Sequence, residues 1–135
     1  MDRIPRIRRV VGWQLLAMSV LMLGVVFVAL ASPSNKWRLQ FSGHAKVDGE
    51  IELSFTPKDG TATSVVVAVP KGTGENAAAR LARDTIKQAF GKGVYNVETD
   101  DGEDVLVKKR GSTPSFEVIV VRNTADGLRL SLDKE

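Results

Sequence analysis

The sequence predicts an α+β domain behind a membrane-directing segment, and three observations carry that prediction. Residues 10–31 form a run without a charge, preceded by Arg3, Arg6, Arg8 and Arg9. Beyond residue 36, apolar and polar residues alternate with period two through most of the chain, the signature of half-buried strands. Between residues 75 and 90 the period becomes that of a helix and alanine becomes frequent. The expected order is βββαββββ, an antiparallel meander packed under one helix.

The first element is the apolar run. As a helix rising 1.5 Å per residue, residues 10–31 reach about 33 Å, close to the hydrocarbon thickness of a bilayer. The arginines before it, against Asp2 alone, hold the N-terminus in the cytoplasm. No polar face exists to meet water, which argues against a helix of a soluble protein. Residues 1–9 therefore read as a basic n-region, 10–31 as a signal peptide or single-pass anchor, 32–36 as a linker and 37–135 as an exported domain. Ala29 and Ala31 form the A-x-A pattern of a signal peptidase site, with cleavage after Ala31. Against cleavage, the run exceeds an ordinary signal-peptide core, and Trp13 and Trp37 stand near its two ends like the interfacial aromatics of a retained span. Either fate puts the domain outside the cytoplasmic membrane of a bacterial host: anchored in the inner membrane, or free in the periplasm or secreted.

The strands and the helix follow in order. Trp37, Leu39 and Phe41 alternate with Arg38 and Gln40, and Ile51, Leu53 and Phe55 alternate with Glu50, Glu52 and Ser54. Residues 57–60, Pro-Lys-Asp-Gly, make a turn. The continuous apolar run at 65–69 suits a central strand covered on both faces. The helix spans 75–90, with Ala78, Ala82, Ile86, Ala89 and Phe90 on one stripe, Thr73 or Gly74 as the N-cap and Gly91 as the C′ residue. Strands at 94–98 and 104–108 flank an Asp-Gly turn. Residues 116–121 are apolar on both faces, which predicts an internal strand. Leu128, Leu130 and Leu132 alternate with Arg129, Ser131 and Asp133 in the last one.

Charge narrows the partners. The chain carries 19 lysines and arginines and 16 acids; four of the former and one of the latter lie in residues 1–9, which leaves fifteen of each in the rest. A neutral domain offers no net attraction to a phosphate backbone, so no nucleic-acid partner is expected. The absence of cysteine rules out disulfides and thiolate chemistry.

Four patterns invite a chemical reading. Asp100, Asp101, Glu103 and Asp104 are the densest set of potential cation ligands, but the spacing of a calcium-binding EF-hand loop is missing and a hairpin turn selects Asp and Gly for its backbone alone. Gly72-Thr73-Gly74 precedes the helix as phosphate-binding loops do, yet Glu75 follows where a lysine would be needed. His44 is the only histidine; Ser42 stands near it, without the Gly-x-Ser-x-Gly elbow of a hydrolase. Lys108-Lys109-Arg110 blunts a strand edge or meets an anionic lipid or polymer. No catalytic, cofactor-binding or metal-binding residue is assigned from these patterns.

From about residue 49 to 132 the pattern resembles a small module of phage tail proteins and secreted bacterial repeat proteins. The matching stretches are 64–70, 74–90, 95–108 and 116–121: a strand pair, an alanine-rich helix, then strands with a polar turn. The resemblance implies a packing or adhesion module without catalysis, and the membrane-directing segment departs from it. Pilins share the apolar N-terminal helix, but their Gly-Phe-x-x-x-x-Glu start is absent, since Trp13 and Gln14 follow Gly12. The expected function is a non-catalytic subunit that binds a protein partner at the bacterial envelope. The alternatives are a structural module of a secreted or phage-like assembly and, third, an enzyme working with carboxylates such as Asp100 and Glu103.

Overall fold

The computed structural model describes residues 32–135; the predicted membrane-directing segment 10–31 and the basic n-region lie outside the described residues. Among the described residues no helix is long and apolar enough to cross a membrane. The order is β1 (Lys36–Gly43), β2 (Gly49–Pro57), β3 (Thr63–Val69), α1 (Glu75–Phe90), β4 (Tyr95–Asp100), β5 (Asp104–Lys109), β6 (Phe116–Asn123) and β7 (Leu128–Lys134). This is an α+β fold with antiparallel sheets and one helix among the described residues, in the predicted order.

The strands divide between two sheets, β4-β5-β1-β7 and β3-β2-β6, rather than forming one meander. Only the β2–β3 and β4–β5 pairs join neighbours in sequence; β1 lies between β5 and β7, and β2 pairs with β6. The inward rows explain the arrangement. Trp37, Leu39 and Phe41 of β1 and Ile51, Leu53 and Phe55 of β2 are all buried and need cover on the same side. Two sheets and a helix enclose both rows in one core. Helix α1 packs against β3 of one sheet and β1, β4 and β5 of the other. Its buried positions are Ala78, Ala79, Ala82 and Ile86. Ala89, placed on the apolar stripe from sequence, is exposed, and Ala79 takes its place. Small side chains let the helix lie close to the strands.

An aromatic cluster ties the three layers. Phe55 of β2 meets Phe90 of α1 edge-on at 5.0 Å between ring centroids and stacks on Phe116 of β6 at 6.3 Å. Tyr95 of β4 lies 4.9 Å from Phe90 and 4.4 Å from Phe116. The indole of Trp37 on β1 donates a 2.7 Å hydrogen bond to the Phe116 carbonyl, a second link between the sheets.

Two strand environments differ from expectation. β3 is an edge strand, not a central one: Val65, Val67 and Val69 are buried, while Val66 is 42% exposed opposite Glu52. β6 is also an edge strand, with Ile119 and Val121 facing water. β-branched residues favour strands whether or not both faces are covered, so an unbroken apolar run overstates burial. In β6 a bulge adds to the effect. Leu53 pairs with Val120 but Glu52 pairs with Arg122, so Val121 is the extra residue. Val121 and Arg122 are both exposed, and Arg122 reaches Glu50 at 2.8 Å and Glu52 at 3.1 Å.

At the other end the chain crosses itself closely. Gly43 and Gly127 both have positive φ, +82° and +93°, and a Cβ on Gly127 would stand 2.4 Å from the His44 carbonyl oxygen. The His44 and Lys46 amides donate to Gly127 and Asp126 carbonyls, closing the β6–β7 turn over the end of β1.

Candidate functional site

The acidic turn is built by the β4–β5 hairpin. Asp100 and Asp104 are directly opposed, and Asp101 (φ +52°) and Gly102 (φ +83°) carry the chain through the left-handed region between them. Asp100, Asp101 and Asp104 bring carboxylate oxygens within 4.8 Å of one another. Glu103 is not part of this group; its carbonyl accepts the Phe41 amide at 3.1 Å.

The centre of the cluster is a residue the sequence did not single out. The Arg38 guanidinium donates from one Nη1 to Asp100 at 3.2 Å and to Asp104, and from Nε to Glu135 at 2.9 Å. The hydrogen bond to Glu135, then that to Asp104, raises Arg38 above the usual guanidinium range. In turn Arg38 holds the Glu135 carboxyl below the usual glutamate range. Asp104 is 4% exposed, so its charge needs a partner inside the protein. Arg38 supplies it through Asp104 Oδ2, while Oδ1 has no hydrogen-bond partner among the described residues. A guanidinium thus stands between two of the three carboxylates that a cation would use. Arg38 lies on the outer row of β1, and only the β1–β5 register places it beside Leu106, flanked by Asp104.

The other sequence patterns resolve into backbone structure. In the Gly72–Thr73–Gly74 loop, the Gly72 amide donates to Ala45, the Thr73 amide to Pro70, and the Thr73 hydroxyl to Pro70 as well. Gly74 is the N-cap without a side-chain cap, and Gly91 (φ +72°) ends the helix. The Gly72 and Thr73 amides are thus paired within the loop, and Glu75 sets a carboxylate in the first turn of the helix, where an anion would be repelled. His44 is exposed and bridges Gly74 in the backbone.

The second feature is the outer edge of β6. On one side it pairs with β2; on the other, among the described residues, Ser34 makes the one backbone bridge, exchanging hydrogen bonds of 2.8 and 2.9 Å with Phe116, while the Trp37 indole also donates to the Phe116 carbonyl and the Ser32 amide to Glu117 Oε2. Since the Phe116 amide and carbonyl face that edge, the period of two turns those of Val118 and Val120 the same way. Beside them Ile119 is 49% exposed and Val121 50% exposed. Sequence reasoning missed this edge because it read the same residues as buried.

Compared with known proteins, the chain matches no family model and no curated protein.

Proposed function

We propose that residues 37–135 act outside the bacterial cytoplasmic membrane as a non-catalytic binding module, exported as a soluble domain or held by the 10–31 segment. The module takes an extended strand of a partner protein along the free edge of β6. The observation that carries this reading is the edge itself. Natural sheets blunt their edges with charge, proline, bulges or cover; up to the bulge at Val121, β6 offers Ile119 beside backbone groups that pair with no strand among the described residues. The Ser34 bridge supports it, since a segment of backbone already runs antiparallel on this edge at Phe116. The bulge at Val121 limits the regular stretch, so the guest pairs with Val118 and Val120 and lays its side chains against Ile119.

The test uses the full chain in cells with a photoreactive residue at position 119 and, as a control, at position 84 on the exposed side of α1. The reading predicts one cross-linked partner from 119, none from 84, and loss of that product in Val120→Pro, which removes an edge amide. Edge positions tolerate proline when the lost N–H faces solvent, and Trp37 fluorescence checks that this variant folds. Equal products from both positions, or a product made only of this chain, would contradict the proposal.

A further inference from the structure

A second surface lies at the opposite end of the β4–β5 hairpin from the acidic turn. Residues 97–106 carry Glu98, Asp100, Asp101, Glu103 and Asp104 and no base. The flanking segments 85–96 and 107–115 carry Lys87, Lys92, Lys108, Lys109 and Arg110 and no acid. The neutral total of the domain therefore hides a hairpin that is negative at its tip and positive at its base.

A cleft of about 430 Å³ opens at that base, between the last turn of α1 and the start of β4. Its charged lining is Lys87, Lys92 and Arg110, over a floor where the buried Tyr95 and Val97 come closest to the surface. The size falls in the range of small-molecule sites. Arg110 is held in place by neutral acceptors: Nε donates to the Tyr95 carbonyl at 3.1 Å and Nη2 to Asn96 Oδ1 at 3.2 Å. Arg38, Arg83 and Arg122 each pair with a carboxylate; among the described residues Arg80, Arg110 and Arg129 do not, and of these Arg110 lines the cleft. A guanidinium has five N–H donors, so this one keeps donors to spare in a fixed orientation.

Helix electrostatics account for part of the basic lining. Lysines near a helix C-terminus complement its dipole, and Lys87 also lies one turn from Asp84, whose carboxylate is bonded by Arg83. That argument does not reach Arg110, which comes from the end of β5 and is oriented by β4. We infer that this cleft binds a phosphate-bearing anion, with Arg110 as the oriented donor and Lys87 and Lys92 as flanking charges. Three cations suit a phosphate better than a single carboxylate, and an arginine fork matches its oxygens.

Two sources share this chemistry, a soluble phosphate compound and a lipid headgroup, and titration separates them. The full chain is labelled for NMR and titrated with inorganic phosphate, and separately with dihexanoyl phosphatidylglycerol below its micelle concentration. The Arg110 Nε–H and Asn96 side-chain signals are followed. Saturation by phosphate near about 1 mM, with the lipid no tighter, assigns a soluble ligand; binding of the lipid at least about tenfold tighter assigns a headgroup. Either supports the site if Arg110→Gln weakens binding about tenfold or more, Lys87→Gln with Lys92→Gln does likewise, and Lys58→Gln, on an exposed turn elsewhere, has no effect. Signals that move with neither ligand up to about 50 mM, or equal weakening by all the substitutions, would overturn it.

Discussion

Phe55→Ala tests whether the two sheets and the helix share one core. Phe55 is fully buried and contacts Phe90, Tyr95 and Phe116, with ring centroids 5.0 to 6.3 Å away. Emptying a packed phenylalanine site costs about 3–5 kcal/mol, and aromatic pairs add about 0.5–1.5 kcal/mol each beyond area burial. The partners of Phe55 belong to β4, β6 and α1, so no single movement refills the space. The cost therefore falls near the top of the range, about 4–5 kcal/mol. That is a quarter or more of the stability of a small domain, about 5–15 kcal/mol. The assay is urea unfolding of the full chain in a Trp13→Phe background, so that emission comes from Trp37, 6% exposed and bonded to the Phe116 carbonyl. With a slope of about 1–3 kcal/mol per molar urea, the midpoint falls by roughly 2 M. Ile119→Ala, on the outer face, moves it by under about 0.5 kcal/mol. A loss below about 1 kcal/mol for Phe55→Ala would refute a shared core.

Arg38→Gln removes the partner of Asp104 and lowers the unfolding midpoint at pH 7. Glu135 is held below its ordinary value of 4.5 by Arg38, so its contribution is present above that pH and lost as pH falls through the lower, folded value. The wild-type midpoint therefore drops in acid, and the loss is smaller in the variant; equal acid slopes would contradict the Arg38–Glu135 pair. Millimolar calcium leaves the melting temperature unchanged, because Arg38 already bridges Asp100 and Asp104, and Asp100→Asn with Glu103→Gln costs under about 1 kcal/mol. A calcium-dependent rise that vanishes in this double variant would show a cation site instead. Gly127→Ala costs about 2–3 kcal/mol or more, from positive φ and a Cβ 2.4 Å from the His44 oxygen, read as the same urea shift. An unchanged midpoint would mean that the turn does not close over β1.

Much of the fold was legible because its signals are local. Helix limits at 75–90 follow from periodicity and from Gly91, and the alternation in β1, β2 and β7 fixes which side chains turn inward. The sheet order was not legible. Alternation shows that Leu39 and Leu53 need cover, not which strand supplies it, and the β1–β7 and β2–β6 pairs join segments far apart in sequence. β3 and β6 misled for a related reason: Val66, Ile119 and Val121 have the strand preference of buried residues while facing water. The acidic turn was visible as four acids, but its counter-charge Arg38 lies more than sixty residues earlier and is found only through the β1–β5 register. The charge split along the β4–β5 hairpin was in the sequence throughout; a net charge summed over the whole domain conceals it.

The proposed binding role and the predicted membrane-directing segment both presuppose that the domain is exported. A reporter active only outside the cytoplasm, fused after Glu135, tests this directly. Export predicts activity with the natural chain and its loss when Leu21 and Val25 are replaced by arginine, each charge costing about 2.5–3.5 kcal/mol in mid-span. A fusion that is silent outside the cytoplasm, with the intact protein recovered inside it, would contradict the account.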